Sequence, residues 1–185
     1  MQYKITPPSH IENTIQLPAS KSISNRALII HALAGGNIMP ENLSTCDDTA
    51  VIARAFKDNP YEIDIMAAGT AMRFMTAYLS VAEGEHVLTG TERMKQRPIK
   101  ILVDALRFLG ADIQYMGEEG FPPLRIKGKK LKGGRVEVAG NVSSQYVSAL
   151  LMIGPTLEKG LELKLLGNVI SRPYIDLTLN LMHEY

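Results

Sequence analysis

The sequence predicts an α/β protein of the α+β kind, built from three repeated helix–strand–helix–strands units, the third incomplete. Three observations carry this. Hydroxyl or small residues lead into apolar helical runs at Ser20, Ala68 and Ser143. Ala68–Thr76 overlies Ser143–Leu151, and Arg97–Leu106 overlies Arg172–Leu181, both at an offset of 75 positions. Short alternating segments bounded by Gly, Pro and Asn stand between the helices.

Taken in order, Gln2–Ile5 and Asn13–Leu17 alternate as short strands around the Pro7-Pro8 break. Ser20 caps a helix that ends at Gly35-Gly36, with Ile23, Ala27, Ile30 and Ala34 as its buried stripe. Asn37–Leu43 is extended. Asp47-Asp48 then start a helix over Thr49–Phe56, where acids suit the dipole. Glu62–Met66 reads as a strand, and Ala67–Arg73 opens a helix running to about Val81. His86–Leu88 is a strand, Thr89–Gln96 a polar loop carrying Arg93 and Lys95, and Arg97-Pro98 begins a helix with Pro at its first position. Its apolar face is Ile101, Leu102, Ala105 and Leu106, and Gly110 ends it.

Strands follow at Asp112–Tyr115, Leu124–Ile126 and Arg135–Val138. The basic stretch Lys127–Arg135 has no interleaved aromatics, so it reads as a solvated hairpin turn rather than a nucleic-acid surface. Gly140–Gln145 opens a helix over Tyr146–Ile153, Leu161–Leu166 is a strand, and Ser171-Arg172-Pro173 starts the last helix. The first unit reads as lacking the Gly-rich hairpin, and the third stops before its own. The chain therefore reads as part of a longer one, with an open sheet edge.

Bulk properties narrow the function. The chain has 185 residues, 45% hydrophobic and 21% charged, with a formal net charge of +1. That composition gives no case for disorder and no overall attraction to nucleic acid or membrane. One cysteine, Cys46, excludes an internal disulfide framework and a cysteine-built zinc site. Neither a signal-peptide core nor a membrane-length apolar run occurs, so a cytoplasmic protein is expected.

The candidate site comes from an oddity of the helix starts. Lys21, Arg26, Arg73, Arg97 and Arg172 lie in or beside first turns, where the positive end of the helix dipole disfavours cations. Ser22, Thr70, Ser143, Ser144, Gln145, Ser171 and Tyr174 accompany them, with no carboxylate in the set. Free N–H groups, hydroxyls and cations converging on one cleft bind an anion, plausibly one with several phosphates or carboxylates. The plainer alternative, that Ser143, Ser144 and Ser171 are helix caps, leaves the recurrent cations unexplained.

Leu17–Ala27, Ala68–Arg73, Leu88-Thr89-Gly90, Arg93–Ile99, Ser143-Ser144-Gln145 and Ser171–Asp176 occur in the order seen in one family. The chain resembles the 5-enolpyruvylshikimate-3-phosphate synthases over nearly its whole length. The resemblance implies one lobe of the inside-out α/β barrel of enolpyruvyl transferases: residues 1–16 supply strands to the other lobe, and 17–185 form a substrate-binding lobe truncated at its C-terminal end. It also implies transfer of the enolpyruvyl group of phosphoenolpyruvate to the 5-hydroxyl of shikimate 3-phosphate, without metal or cofactor. Lys21, Gly69, Arg97 and Gln145 would meet phosphoenolpyruvate. Ser22, Arg26, Ser143, Ser144, Gln145, Ser171 and Tyr174 would meet shikimate 3-phosphate. The acid/base carboxylates would lie in the other lobe, leaving Lys21 as the one catalytic residue present and this chain a binder that does not catalyse.

Two departures stand out: Met66-Ala67 where the family has Gly-Asn, and Phe74 in place of a usual Pro. His31 and His183 have no nucleophile at a telling spacing and receive no role. Two other readings compete. A nucleotide-sugar enolpyruvyl transferase is disfavoured by Ser20-Lys21-Ser22 and Ser143-Ser144, and a stand-alone anion-binding module by the incomplete third unit.

Overall fold

A computed structural model describes residues 2–185. Helix α1 (Lys21–Leu33) begins at Ser20, whose Oγ accepts the Ile23 N–H at 3.5 Å, and its chain turns out through Gly35 at φ 71°. Helix α2 (Asp47–Asp58) is followed by strand β1 (Glu62–Asp64), helix α3 (Gly69–Val81) and strand β2 (Gly84–Thr89). A single turn of helix, α4 (Glu92–Lys95), leads to α5 (Lys100–Phe108), then strands β3 (Asp112–Tyr115) and β4 (Leu124–Gly128). Strand β5 (Gly134–Ala139), helix α6 (Ser144–Ile153), strand β6 (Leu161–Leu166) and helix α7 (Arg172–Glu184) complete the order.

The strands form a four-stranded sheet, β1-β2-β4-β3, and a two-stranded sheet, β5-β6. β1 and β2 are parallel with Ile63 opposite Leu88, and α3 is their crossover. β5 and β6 repeat that arrangement with Val138 opposite Leu165 and α6 as crossover. Parallel neighbours require such a crossover, so each β–α–β stretch is one topological unit. β4 pairs antiparallel with both β2 and β3. α1, α3 and α6 pack on one another, and Leu28, Ile29, Phe74, Met72, Leu150 and Ile153 meet in the core between them and the sheets.

Several sequence expectations are corrected. Gln2–Ile5 and Asn13–Leu17 are not strands: residues 2–20 carry no regular structure, and Ile5, Ile15 and Leu17 are exposed. Alternation makes a strand only where a ladder partner accepts it. Asn37–Leu43 is likewise a series of bends. The stripe proposed for α1 is wrong at both ends, since Ile23 and Ala34 are exposed while all seven residues Ser24–Ile30 are buried. Neighbouring helices enclose α1, so it has no polar face along that run.

β1 ends two residues early. Met66 adopts φ 54°, and its N–H donates to Asp64 Oδ1 at 2.7 Å, which turns the chain out of the strand. α5 starts at Lys100, not at Arg97-Pro98, and Ile101 is exposed whereas Leu102, Val103, Ala105 and Leu106 are buried. The loop over Thr89–Gln96 contains α4, closed by a Lys95–Glu92 ion pair at 2.8 Å. Lys127–Arg135 is no hairpin turn: it carries the chain from one sheet to the other, with Leu131 buried and its carbonyl accepting from Glu158.

Candidate anion site at the helix N-termini

The N-terminal turns of α3 and α6 are joined directly, Gln145 Nε2 donating to Thr70 Oγ1 at 3.1 Å. α1 joins them one turn deeper, where Arg26 Nη2 donates to Ser148 Oγ at 3.0 Å. Three helix starts therefore gather at one end of the molecule, and their unpaired N–H groups and dipoles favour an anion there.

Gly69 and Arg97 meet at this end. The Arg97 guanidinium lies so close over Gly69 that a Cβ built on the glycine would collide with Nη1. Only the absence of a side chain lets the cation rest on the first residue of α3. Arg97 is exposed and, with Arg93, Ala67 and Met94, lines a cavity of about 420 Å³. Arg93 did not figure among the sequence candidates. Its i, i+4 spacing to Arg97 across the single turn of α4 was the available signal. Lys21, at the start of α1, is half-exposed and pairs with Asp48 Oδ1 at 3.5 Å. Asp48 thus combines a first-turn position in α2 with holding the Lys21 ammonium. Among the described residues, no hydrogen bond or ion pair joins Lys21 to Gly69, Arg97 or Gln145.

Two of the cations are braces. Arg26 is buried: Nε donates to Thr178 Oγ1 at 2.6 Å, Nη1 to the Ser22 carbonyl at 2.9 Å, and Nη2 to Ser148 and, at 3.4 Å, to the Tyr174 carbonyl. Its guanidinium stands 5.2 Å from the centre of the Phe74 ring and 5.8 Å from that of Tyr174. The departure at Phe74 therefore supplies an aromatic face to the cation. Burial pushes the Arg26 pKa down to about 10, which leaves it charged at neutral pH. Arg73 is also buried, and desolvation lowers its pKa. It donates to the Gly69 carbonyl at 2.9 Å and the Pro98 carbonyl at 3.3 Å, while the Tyr146 hydroxyl donates to the same Pro98 carbonyl at 2.7 Å. Arg73 and Tyr146 so tie the Arg97-Pro98 turn to α3 and α6.

The serines divide. Ser143 caps α6, its Oγ accepting the Gln145 N–H at 3.3 Å, and Ser144 is buried in the first turn. Ser171 precedes α7 at φ 54° and its side chain makes no cap bond. Tyr174 is half-exposed. Arg172 is exposed and pairs with Asp176 at 3.7 Å. A larger cleft, about 720 Å³, lies elsewhere, among His31, Phe56, Lys57 and Tyr78 at the C-terminal ends of α1 and α2. No cluster of three metal-binding side chains occurs among the described residues, and no helix there is long and apolar enough to cross a membrane.

The sequence profile of EPSP synthase (3-phosphoshikimate 1-carboxyvinyltransferase) matches residues 5–59 and 53–185. The chain belongs to the EPSP synthase family. The 3-phosphoshikimate 1-carboxyvinyltransferase of Bacteroides fragilis is 63% identical over 185 residues, covering 100% of this chain and 45% of its own length. That of Mannheimia succiniciproducens is 44% identical, over 96% of this chain and 48% of its own length. Among solved structures, the EPSP synthase of Acinetobacter baumannii superposes with a TM-score of 0.66 at 25% identity, over 77% of this chain and 38% of that one. The chain thus spans about half the length of the curated family members it matches.

Proposed function

We propose that this chain is the substrate-binding lobe of a 3-phosphoshikimate 1-carboxyvinyltransferase, one half of an inside-out α/β barrel whose three units are centred on α1, α3 and α6. In that reading residues 1–16 belong with the other lobe. The observation that carries the site assignment is the seating of the Arg97 guanidinium on Gly69 at the start of α3, beside the Thr70–Gln145 bond. This places a free cation, helix N–H groups and a polar bridge together, which suits a carboxylate-bearing phosphoester such as phosphoenolpyruvate. Lys21 adds a second cation. Ser22, Ser143, Ser144, Ser171 and Tyr174 then address shikimate 3-phosphate, with Gln145 between the ligands. Arg26 supports this pocket by fixing α1, α6 and α7, since four of its bonds go to protein.

The reaction protonates the methylene carbon of phosphoenolpyruvate while the 5-hydroxyl of shikimate 3-phosphate, losing its proton, bonds to the adjacent carbon. The resulting tetrahedral adduct expels phosphate and loses a proton from the methyl group, which restores the carbon–carbon double bond as an enol ether. Cations such as Lys21 and Arg97 stabilise charge on the departing phosphate. The proton transfers need an acid/base pair held within reach of the methylene carbon and the 5-hydroxyl oxygen. We assign that pair to the other lobe, so this chain binds without turning over.

Calorimetric titration of the 185-residue chain tests the reading, with phosphate release followed in parallel. Shikimate 3-phosphate is expected to bind, phosphoenolpyruvate weakly, and release to stay at background. No heat with shikimate 3-phosphate rejects the ligand assignment. Release above background, with contaminating host enzyme excluded, rejects the division of labour between lobes.

A further inference from the structure

Three cations stand on or just past α4: Arg93, Lys95 and Arg97. They are not equivalent. Lys95 is neutralised by Glu92 at 2.8 Å. Arg93 and Arg97 instead line one cavity of about 420 Å³, whose other walls are Ala67 and Met94, and no carboxylate among the described residues lines it. Two guanidiniums that share a cavity without an acid repel each other until an anion enters between them.

The backbone that carries both arginines is held in place. Met94 is buried, and its N–H and that of Lys95 donate to the Thr91 carbonyl at 2.8 and 3.0 Å. The Thr91 N–H donates in turn to the Met66 carbonyl at 3.0 Å, and Gly90 lies so close that a Cβ there would collide with that carbonyl. The Arg97 N–H donates to the Met94 carbonyl at 3.0 Å. α4 is therefore pinned to the Asp64–Met66 bend that leads into α3. The wall beside it, Ala67, stands where the family has Asn and offers a ligand no side-chain hydrogen bond. Polar recognition on this side of the cavity falls to the two arginines.

We propose that Arg93 is a second guanidinium on the phosphate group of phosphoenolpyruvate, acting beside Arg97. This rests on the reading of this end of the molecule as the phosphoenolpyruvate site. A phosphate has three terminal oxygens and about two negative charges, enough acceptors for two guanidinium forks, whereas one fork fills the two oxygens of a carboxylate. A liquid water occupies about 30 Å³, so the cavity has room for a small phosphoester and some hydration.

The test compares Arg93→Gln with Arg97→Gln in a full-length enzyme carrying this lobe. Arg93 is exposed, so its replacement is expected to leave the melting temperature unchanged. The KM for phosphoenolpyruvate is expected to rise at least about tenfold, as for loss of a charged hydrogen bond. The inhibition constant of inorganic phosphate, used as a competitor of phosphoenolpyruvate, rises with it, and the KM for shikimate 3-phosphate does not move. An unchanged phosphoenolpyruvate KM in Arg93→Gln, beside a raised one in Arg97→Gln, overturns the proposal and leaves the site reading standing. An unchanged KM in both variants overturns the two together. A raised KM with unchanged phosphate inhibition moves Arg93 to the carboxylate end, and a lowered kcat with both KM values intact moves it to a contact between lobes. Either of these also overturns the proposal.

Discussion

At the scale of single residues, Gly69 is the position where one added carbon has the clearest consequence. Gly69→Ala puts a Cβ into the Arg97 guanidinium, which is exposed and free to swing away. The helix start itself tolerates alanine well. In a full-length enzyme carrying this lobe, the expected result is a raised KM for phosphoenolpyruvate with the melting temperature nearly unchanged. An unchanged KM dissociates Arg97 from that ligand. Lys21→Met keeps volume and removes a charge whose protein partner, Asp48, stays at the start of α2. Loss of a charged hydrogen bond to a bound anion costs about 1.5–3 kcal/mol. Turnover equal to the parent enzyme would rule out Lys21 as a contact of the reacting anion. Met66 poses a different question. It holds φ 54° where glycine is freest, and the Asp64 carboxylate accepting its N–H is what compensates.

At the scale of elements, α6 decides whether its serines cap or bind. Ser143 is a cap by geometry, whereas Ser144 is buried and has no cap bond of its own. Replacing both with alanine removes about 1 kcal/mol of capping. If they also hold the phosphate of shikimate 3-phosphate, affinity for that ligand falls well beyond what the small loss of stability explains. Calorimetric titration beside thermal melting distinguishes the two: a lowered melting temperature with intact affinity makes them caps only. The same helix shows how local reading succeeds. Its apolar run and polar opening were legible, and so was Leu161–Leu166, whose bounds the alternation gave correctly. α5 shows how such reading fails. Arg97-Pro98 resembles a helix start, yet the Pro98 carbonyl is taken by Arg73 and Tyr146, which delays the helix to Lys100.

At the scale of the whole molecule, two β–α–β crossovers place α3 and α6 side by side, with α1 completing the inner group. The repeat read as an offset of 75 positions reappears as a contact at that same separation, Gln145 to Thr70. Related units packed side by side bring equivalent positions together, so each helix start contributes to one end of the molecule. That arrangement concentrates N–H groups and cations, and the carboxylates nearest them are engaged in ion pairs, Asp48 with Lys21 and Asp176 with Arg172. This asymmetry underlies the expectation that the chain binds an anion without releasing phosphate from it.

By itself, the sequence determined the family, through ordered motifs that need no coordinates, and most helices and strands, because periodicity and turn residues act over a few neighbours. It also marked the cations that sit at the wrong helix end. The tertiary structure alone decided what those cations do. Arg26 and Arg73 look like surface charges in the sequence, but each is enclosed by helices distant in the chain and spends its donors on them. Arg97 and Lys21 remain turned outward. Burial depends on everything packed around a residue, and no local pattern encodes it. The residues before α1 show the converse, since alternation without a partner strand left them irregular and exposed.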